Sequence, residues 1–258
     1  MGFRNKNLVL TLMLVFGLLS SAVSAESSAE SLFKKGNDLY SAEKYSDAIT
    51  AYEQLIDKGV AAPELYYNLG NAFYKSGIYP KAILNYERAL RLSPGDADIE
   101  YNLKMANLHS IDKIEPLPEV FYEKWIDSFI YGAAPYPRAV TGIVLFWLAL
   151  IAGVAYVFLS GSTVKKITFT GGTILLFAAC FTFFLTFKQH RQLNDHSDAI
   201  VFSENVYVKS SPDEGSANLF MLHSGTKVKV LDQLKDWKKI RIANGNEGWI
   251  SSGGLESI

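Results

Sequence analysis

The chain has one cysteine, Cys180, so an internal disulfide and a multi-cysteine metal site are both excluded. Cys180 lies inside an apolar run, where a lone cysteine is expected to be a small buried hydrophobe. Neither sign of charge is in excess. The formal net charge is −1 and the pI about 6.4, which gives no electrostatic support for nucleic-acid binding. Catalytic signatures are also missing: the sequence holds no HExxH, GxSxG, P-loop or GxGxxG. The four histidines, His109, His190, His196 and His223, show no ligand spacing, and His223 is expected on the surface beside a turn. Ser210-Ser211-Pro212 reads as a turn, and Asp96 and Asp98 suit a helix N-terminus better than acid–base work. No enzyme activity, metal or cofactor is therefore expected.

What the chain does contain is a self-match at a spacing of 34 residues: Gly36, Ala48 and Tyr52 recur as Gly70, Ala82 and Tyr86. Small residues at the first two positions let paired helices approach closely. Helices are expected near 28–41, 45–58, 62–76 and 79–91, with Gly59 closing the second and Pro94 following the fourth. Tyr101-Asn102-Leu103 repeats Tyr67-Asn68-Leu69, but the glycine position becomes Lys104. Residues 96–108 therefore read as a capping helix. The period and pattern resemble the tetratricopeptide repeat (TPR), which implies a binding surface over residues 27–110. Two units and a cap fall short of the three repeats usual for stability, so the array is expected to lean on a partner, on self-association or on a membrane surface.

Three ladders recur on the first helix of each unit: Phe33, Tyr67 and Tyr101; Asn37 and Asn71; Asn68 and Asn102. An Asn carries one donor and one acceptor group, so such a ladder suits the backbone of an extended peptide or protein tail. A merely tolerated solvated face accounts for the Asn residues too, and core packing accounts equally for the aromatics.

Three apolar runs cover 8–25, 139–164 and 167–187. The first follows Arg4 and Lys6 and ends in Val23-Ser24-Ala25, the build of a secretory signal over 1–25, either cleaved before Glu26 or kept as an anchor. The other two contain no charged or histidine residue. Each is long enough to cross about 30 Å of hydrocarbon, giving spans near 139–160 and 167–187 around Lys165 and Lys166. Without such groups a transporter or channel is not expected. Gly171 and Gly172 suit close helix packing, a weak signal. Residues 111–138 form a linker in which Pro116 and Pro118 end helix. Phe121, Trp125 and Phe129 then share one face of a helix that either lies on the bilayer surface or packs under the array.

From 198 to 258 the pattern turns to β, with about five short strands and a hairpin turn at Asn244-Gly245. Val206 to Pro212, His223-Ser224-Gly225-Thr226, Trp237 and Gly248-Trp249-Ile250 before Leu255 resemble a bacterial SH3 domain. That resemblance implies a small adaptor for cell-wall peptides or protein tails. Trp237, Trp249 and Tyr207 are the candidate groove residues, with core packing the alternative for both tryptophans.

The fold class is thus a multidomain membrane protein: an all-α TPR array, a two-helix transmembrane hairpin and a small all-β SH3-like barrel. This order of modules resembles the BatE proteins of the Bacteroides aerotolerance (Bat) family. The resemblance implies an inner-membrane protein, while the signal and the two spans imply a scaffold that crosses the bilayer twice with both terminal domains in the periplasm. It implies partners with von Willebrand factor A domains and a MoxR-type ATPase. The second reading is a binder or sensor of peptidoglycan peptides acting through the SH3-like domain.

Overall fold

A computed structural model describes residues 28–118, 135–193 and 197–258. The expected signal segment and the helix bearing Phe121, Trp125 and Phe129 lie outside the described residues. The chain divides into two compact units, one holding residues up to 114 with 198–242 and 246–258, the other holding 115–197 and 243–245.

The first unit begins with α1 (residues 28–41), α2 (Tyr45–Asp57), α3 (Pro63–Lys75), α4 (Tyr79–Leu92) and α5 (Ala97–Asn107). The 34-residue match is a steric one. A Cβ on Gly36 would sit 2.5 Å from the Tyr52 ring, and one on Gly70 would sit 2.7 Å from the Tyr86 ring. The first (A) helix of each unit therefore rests its glycine on the aromatic of the second (B) helix. Gly77 follows α3 with φ +75°, its N–H bonded to the Tyr74 carbonyl at 3.0 Å and that of Ile78 to Phe73 at 2.9 Å. One period earlier Glu43 makes the same turn at φ +59°, a left-handed conformation that costs about 1–2 kcal/mol for an L-residue. Asp96 caps α5, its side chain accepting from the N–H groups of Asp98 and Ile99 at 3.1 and 3.2 Å. His109 stacks on Tyr79 at 3.8 Å and folds the end of α5 back on α4.

Seven antiparallel strands complete the unit: β1 (Asp198–Val201), β2 (Asn205–Lys209), β3 (Asn218–His223), β4 (Lys227–Leu234), β5 (Trp237–Arg241), β6 (Glu247–Ser251) and β7 (Leu255–Ser257), in the order β3-β2-β6-β5-β4-β1-β7. Seven strands replace the expected five or so because the run from Ala199 to Lys209 breaks at Phe202 to Glu204, and because Leu255–Ser257 pairs as a short edge. Val208, Leu222, Val228, Ile240 and Ile250 form the sheet's own core.

Strand β1 is buried on both faces. Ala199 and Val201 point into the sheet core, while Ile200 joins the core of the helical array together with Ile258 and Phe202. The sheet is thus docked on α4. A Cβ on Gly225, in the β3–β4 turn, would lie 3.3 Å from Ile83 Cδ1. Polar ties ring this apolar seam. Lys227 Nζ is 2.8 Å from Glu87 Oε2 and 3.1 Å from Asp198 Oδ2. Arg88 donates to Glu256 Oε1 at 3.1 Å and to the Ser257 carbonyl at 2.8 Å, and Arg91 donates to the Ile258 main-chain oxygen. Burying one such isoleucine contributes about 1.5–3 kcal/mol, whereas an exposed ion pair contributes about 0–1 kcal/mol. The seam holds mainly by Ile83, Ile200 and Ile258.

A further tie comes from the connector after α5. Asp112 Oδ2 accepts from the His223 N–H at 2.8 Å and from Thr226 Oγ1 at 2.6 Å, and Asp112 Oδ1 lies 2.7 Å from His223 Nδ1. His223 is therefore not a surface residue as expected: its turn faces the array and connector, not water. Ile114 continues from this tie into the sheet core.

The second unit is a helical hairpin, α6 (Pro135–Phe158) and α7 (Ser162–Leu193). Both helices are long and apolar enough to cross a membrane. The turn is shorter and earlier than the sequence suggested, at Leu159 to Gly161, and places Lys165 and Lys166 in the first turns of α7. Gly142 faces Thr182, where a Cβ would be 2.8 Å from Oγ1, and Gly172 faces Ala152 at 3.1 Å. Gly171 makes no such contact. Arg138 Nη1 donates to Gln189 Oε1 at 2.7 Å, both side chains buried. Cys180 is exposed rather than buried, because α6 covers only one flank of α7; its neighbour Ala179 takes the buried position one residue, or 100°, earlier.

The Asp112 tie has a definite pH dependence. Burial alone would raise its carboxyl, but bonds from Thr226 and from the His223 main chain and ring outweigh this and hold it below the usual carboxylate range. A depressed carboxyl stabilises fully above its unfolded value of about 3.9 and loses this as pH falls through the lower folded value. Asp112→Asn is expected to cost about 1–3 kcal/mol at neutral pH in urea unfolding of the detergent-solubilised chain. The gap from the parent should narrow as pH falls from the unfolded carboxylate value through the lower folded one.

Candidate functional site

The Asn residues form two equivalent hydrogen-bonded clusters on the A helices, one period apart. Asn37 Oδ1 accepts from Tyr52 OH at 2.7 Å and from Asn68 Nδ2 at 3.0 Å. One period on, Asn71 Oδ1 accepts from Tyr86 OH at 2.7 Å and from Asn102 Nδ2 at 3.0 Å. Asn102 Nδ2 also donates to Tyr67 OH at 2.9 Å. The two separate ladders read from sequence are therefore joined, each unit's Asn reaching the next unit's. Burial, with Tyr40 nearby, pushes the Tyr52 phenol up to about 12, and burial raises that of Tyr86 as well. Both phenols stay protonated donors near neutral pH, which fixes the two Asn oxygens as acceptors.

This fixes what the ladder has left. The amide nitrogens of Asn37 and Asn71 and the amide oxygens of Asn68 and Asn102 remain on half-buried side chains. Along the array the order is donor, acceptor, donor, acceptor. Tyr67 is half-buried against Tyr86, with ring centroids 6.1 Å apart, while Tyr101 is 64% exposed on the last helix.

The open end of the array is polar. Lys35, Leu39, Asp47, Thr50, Ala51 and Gln54 line a cleft on the first unit. Their 34-residue equivalents, Leu69, Phe73, Lys81, Leu84, Asn85 and Arg88, receive Glu53, Ile56 and Asp57 of α2. Lys35 for Leu69 and Thr50 for Leu84 suit an end cap rather than another stacked unit.

On the sheet, the β5–β6 hairpin decides where the tryptophans point. Ala243, Asn244 and Gly245 form a three-residue loop, closed by the Ile242 N–H to Asn246 carbonyl bond at 3.0 Å with Gly245 at φ +90°. The register pairs Lys239 with Trp249 and Arg241 with Glu247. Gly248 and Ile250 point inward; a Cβ on Gly248 would lie 2.4 Å from Val208 Cγ1. Trp249 consequently stands on the outer face, half-buried, between Lys239 of β5 and Lys209 of β2. Tyr207, 54% exposed, shares that face opposite Met221, and Trp237 stands there opposite Ser251. Lys239 and Arg241 hydrogen-bond Glu247 and hold its carboxyl below the usual range. Among the described residues no group of three or more His, Cys, Asp or Glu is placed to hold a metal ion.

Residues 33–97 match the family model for the tetratricopeptide repeat, and residues 204–256 match that for the bacterial SH3 domain. The chain carries a TPR array and a bacterial SH3 domain. No curated protein matches it. Sequence reasoning missed Tyr52 and Tyr86 as ladder anchors, although both recur at the same period as the Asn residues. It also missed Lys209 and Lys239 beside Trp249, which only the strand register reveals.

The ladder predicts an order of sensitivity. Asn71→Ala strands the buried Tyr86 hydroxyl and one Asn102 donor, and should cost about 1–3 kcal/mol in denaturant unfolding. Asn68→Ala removes a donor only, and should cost about 0.5–1.5 kcal/mol.

Proposed function

We propose that this protein is a membrane-anchored, non-enzymatic scaffold whose TPR array and SH3 domain bind proteins or peptides in the periplasm. The observation that carries this reading is the docking of the SH3 domain on α4 of the array. Two modules packed through a shared core cannot lie on opposite sides of a bilayer. The residues between them hold two helices long and apolar enough to span one, and two crossings return the chain to the starting side. The exposed apolar flanks of α6 and α7, including Trp147, Ile151, Phe177 and Phe184, suit contact with lipid. The signal-like first 25 residues support the periplasmic side.

The array supplies the peptide groove. Its alternating donors and acceptors match the alternating C=O and N–H of an extended backbone. The docked SH3 domain adds a second surface at a fixed offset, so a partner touching both loses little further freedom on the second contact. The order of modules supports a Bat-type envelope complex, with von Willebrand factor A-domain membrane proteins and a MoxR-type ATPase as partners. Its aerotolerance role follows from the same resemblance. The competing role, a binder of peptidoglycan peptides, requires retention of the intact protein on purified cell wall.

Compartment reporters fused after Ser110, within the α6–α7 turn and after Ile258 test the topology. Outside, inside, outside is expected. Termini in opposite compartments would refute the scaffold and its docked interface together.

A further inference from the structure

The outer face of β2, β6 and β5 allows a more specific assignment, which rests on the peptide-binding reading above. We infer that this face of the SH3 domain binds an extended acidic peptide, with Trp249 as the platform and Lys209 and Lys239 as its carboxylate partners. The register places one lysine on each side of the indole. Directly opposed residues on antiparallel strands hold their Cβ atoms about 4.5–5.5 Å apart, so both ammonium heads reach a chain lying over the ring.

The charge on the face favours an acidic occupant. Lys209, Lys239 and Arg241 share it with Lys229, the cross-strand neighbour of Arg241, against Glu247, Asp232 opposite Lys239, and Asp198 opposite Lys229. Four cations meet three acids, and Asp198 is also paired with Lys227, in a chain whose net charge is −1. Glu247 is shared between Lys239 and Arg241, so one carboxylate offsets two cations. Among the described residues Lys209 Nζ contacts only main-chain oxygens of its own loop, Glu214 at 2.6 Å and Ser216 at 3.5 Å, which carry no full negative charge. Next to this basic row lie the exposed apolar side chains Tyr207, Leu219 and Met221 on β2 and β3. A strand-like ligand places alternate side chains on one side about 6.6–6.8 Å apart, enough to set an acidic residue by the lysines and apolar ones by Tyr207. The face is separate from the docking seam, whose contacts come from β1, β7 and the β3–β4 turn with its following Lys227.

The test uses the full chain in lipid nanodiscs and a fluorescein-labelled twelve-residue peptide of alternating Glu and Leu. Matched Gln-Leu and Lys-Leu peptides serve as controls, read by anisotropy at low and high salt. The Glu-Leu peptide should bind at least about tenfold tighter than the Gln-Leu peptide, since a hydrogen bond to a charged group is stronger than one to a neutral amide. Binding should weaken with salt, and the double variant K209Q/K239Q, with an unchanged near-ultraviolet spectrum, should lose that preference. Tyr207→Ala should weaken both peptides several-fold without changing their ratio. Equal binding of the Glu-Leu and Gln-Leu peptides overturns the assignment. So does binding of purified cell wall through Trp249 with no capture of the Glu-Leu peptide. Full Glu-Leu preference in K209Q/K239Q places acidic peptides elsewhere on the chain, which overturns this assignment and leaves the scaffold reading standing.

Discussion

The apolar seam between α4 and the sheet is the contact on which the rest of this molecule depends. Ile83, Ile200 and Ile258 fill it, and Asp112, Lys227, Arg88 and Arg91 ring it. A repeat array of two units and a cap buries little surface of its own, because each helix pair leaves a face for the next. Here α4 gives part of its surface to the chain's own C-terminal domain. The help expected from a partner, self-association or a bilayer comes in part from the chain's own residues between Asp198 and Ile258, far along the sequence. The sheet benefits in turn, since β1 places Ile200 on the helices and Arg88 satisfies the Ser257 carbonyl of the edge strand β7.

The same seam links fold to function. It joins the two binding modules as one compact unit, so the groove over the A helices and the outer face of β2, β6 and β5 keep a fixed relation. That arrangement differs from two modules on flexible tethers, where effective concentration depends on linker length. With a docked pair, geometry takes over: a partner that fits both surfaces gains, and one that fits a single surface does not. The Asn ladder adds rigidity within the array, since its Asn–Asn bonds cross from one unit to the next.

Much of this was legible in the sequence because it rests on local rules. The glycine–tyrosine stacking repeats at 34 residues, and Asp96 precedes a helical pattern. The two long apolar runs declare themselves by length alone. What escaped was long-range. Nothing near Asp112 in sequence reveals that it reaches His223, and nothing near Ile200 marks it as a residue of the other domain's core. The facing of Trp249 was hidden for a subtler reason. Asn244-Gly245 marks a hairpin, but a two-residue turn centred there would pair Trp249 with Ile240 and turn the indole inward. The three-residue loop pairs it with Lys239 instead, and a one-residue change in register exchanges the two faces. Cys180 escaped because an apolar run does not tell which flank of a helix its neighbour covers.

The most direct test of the account is a cross-link across the seam in the native membrane. Cys180 is the only native cysteine, so Cys180→Ala gives a clean background. Glu87→Cys and Lys227→Cys then replace two side chains whose charged atoms are 2.8 Å apart. A short bismaleimide should join them within one chain, giving a single band of altered mobility, in intact cells as in detergent. Labelling of both cysteines without an intramolecular link would contradict the docked arrangement and, with it, the shared compartment of the two modules.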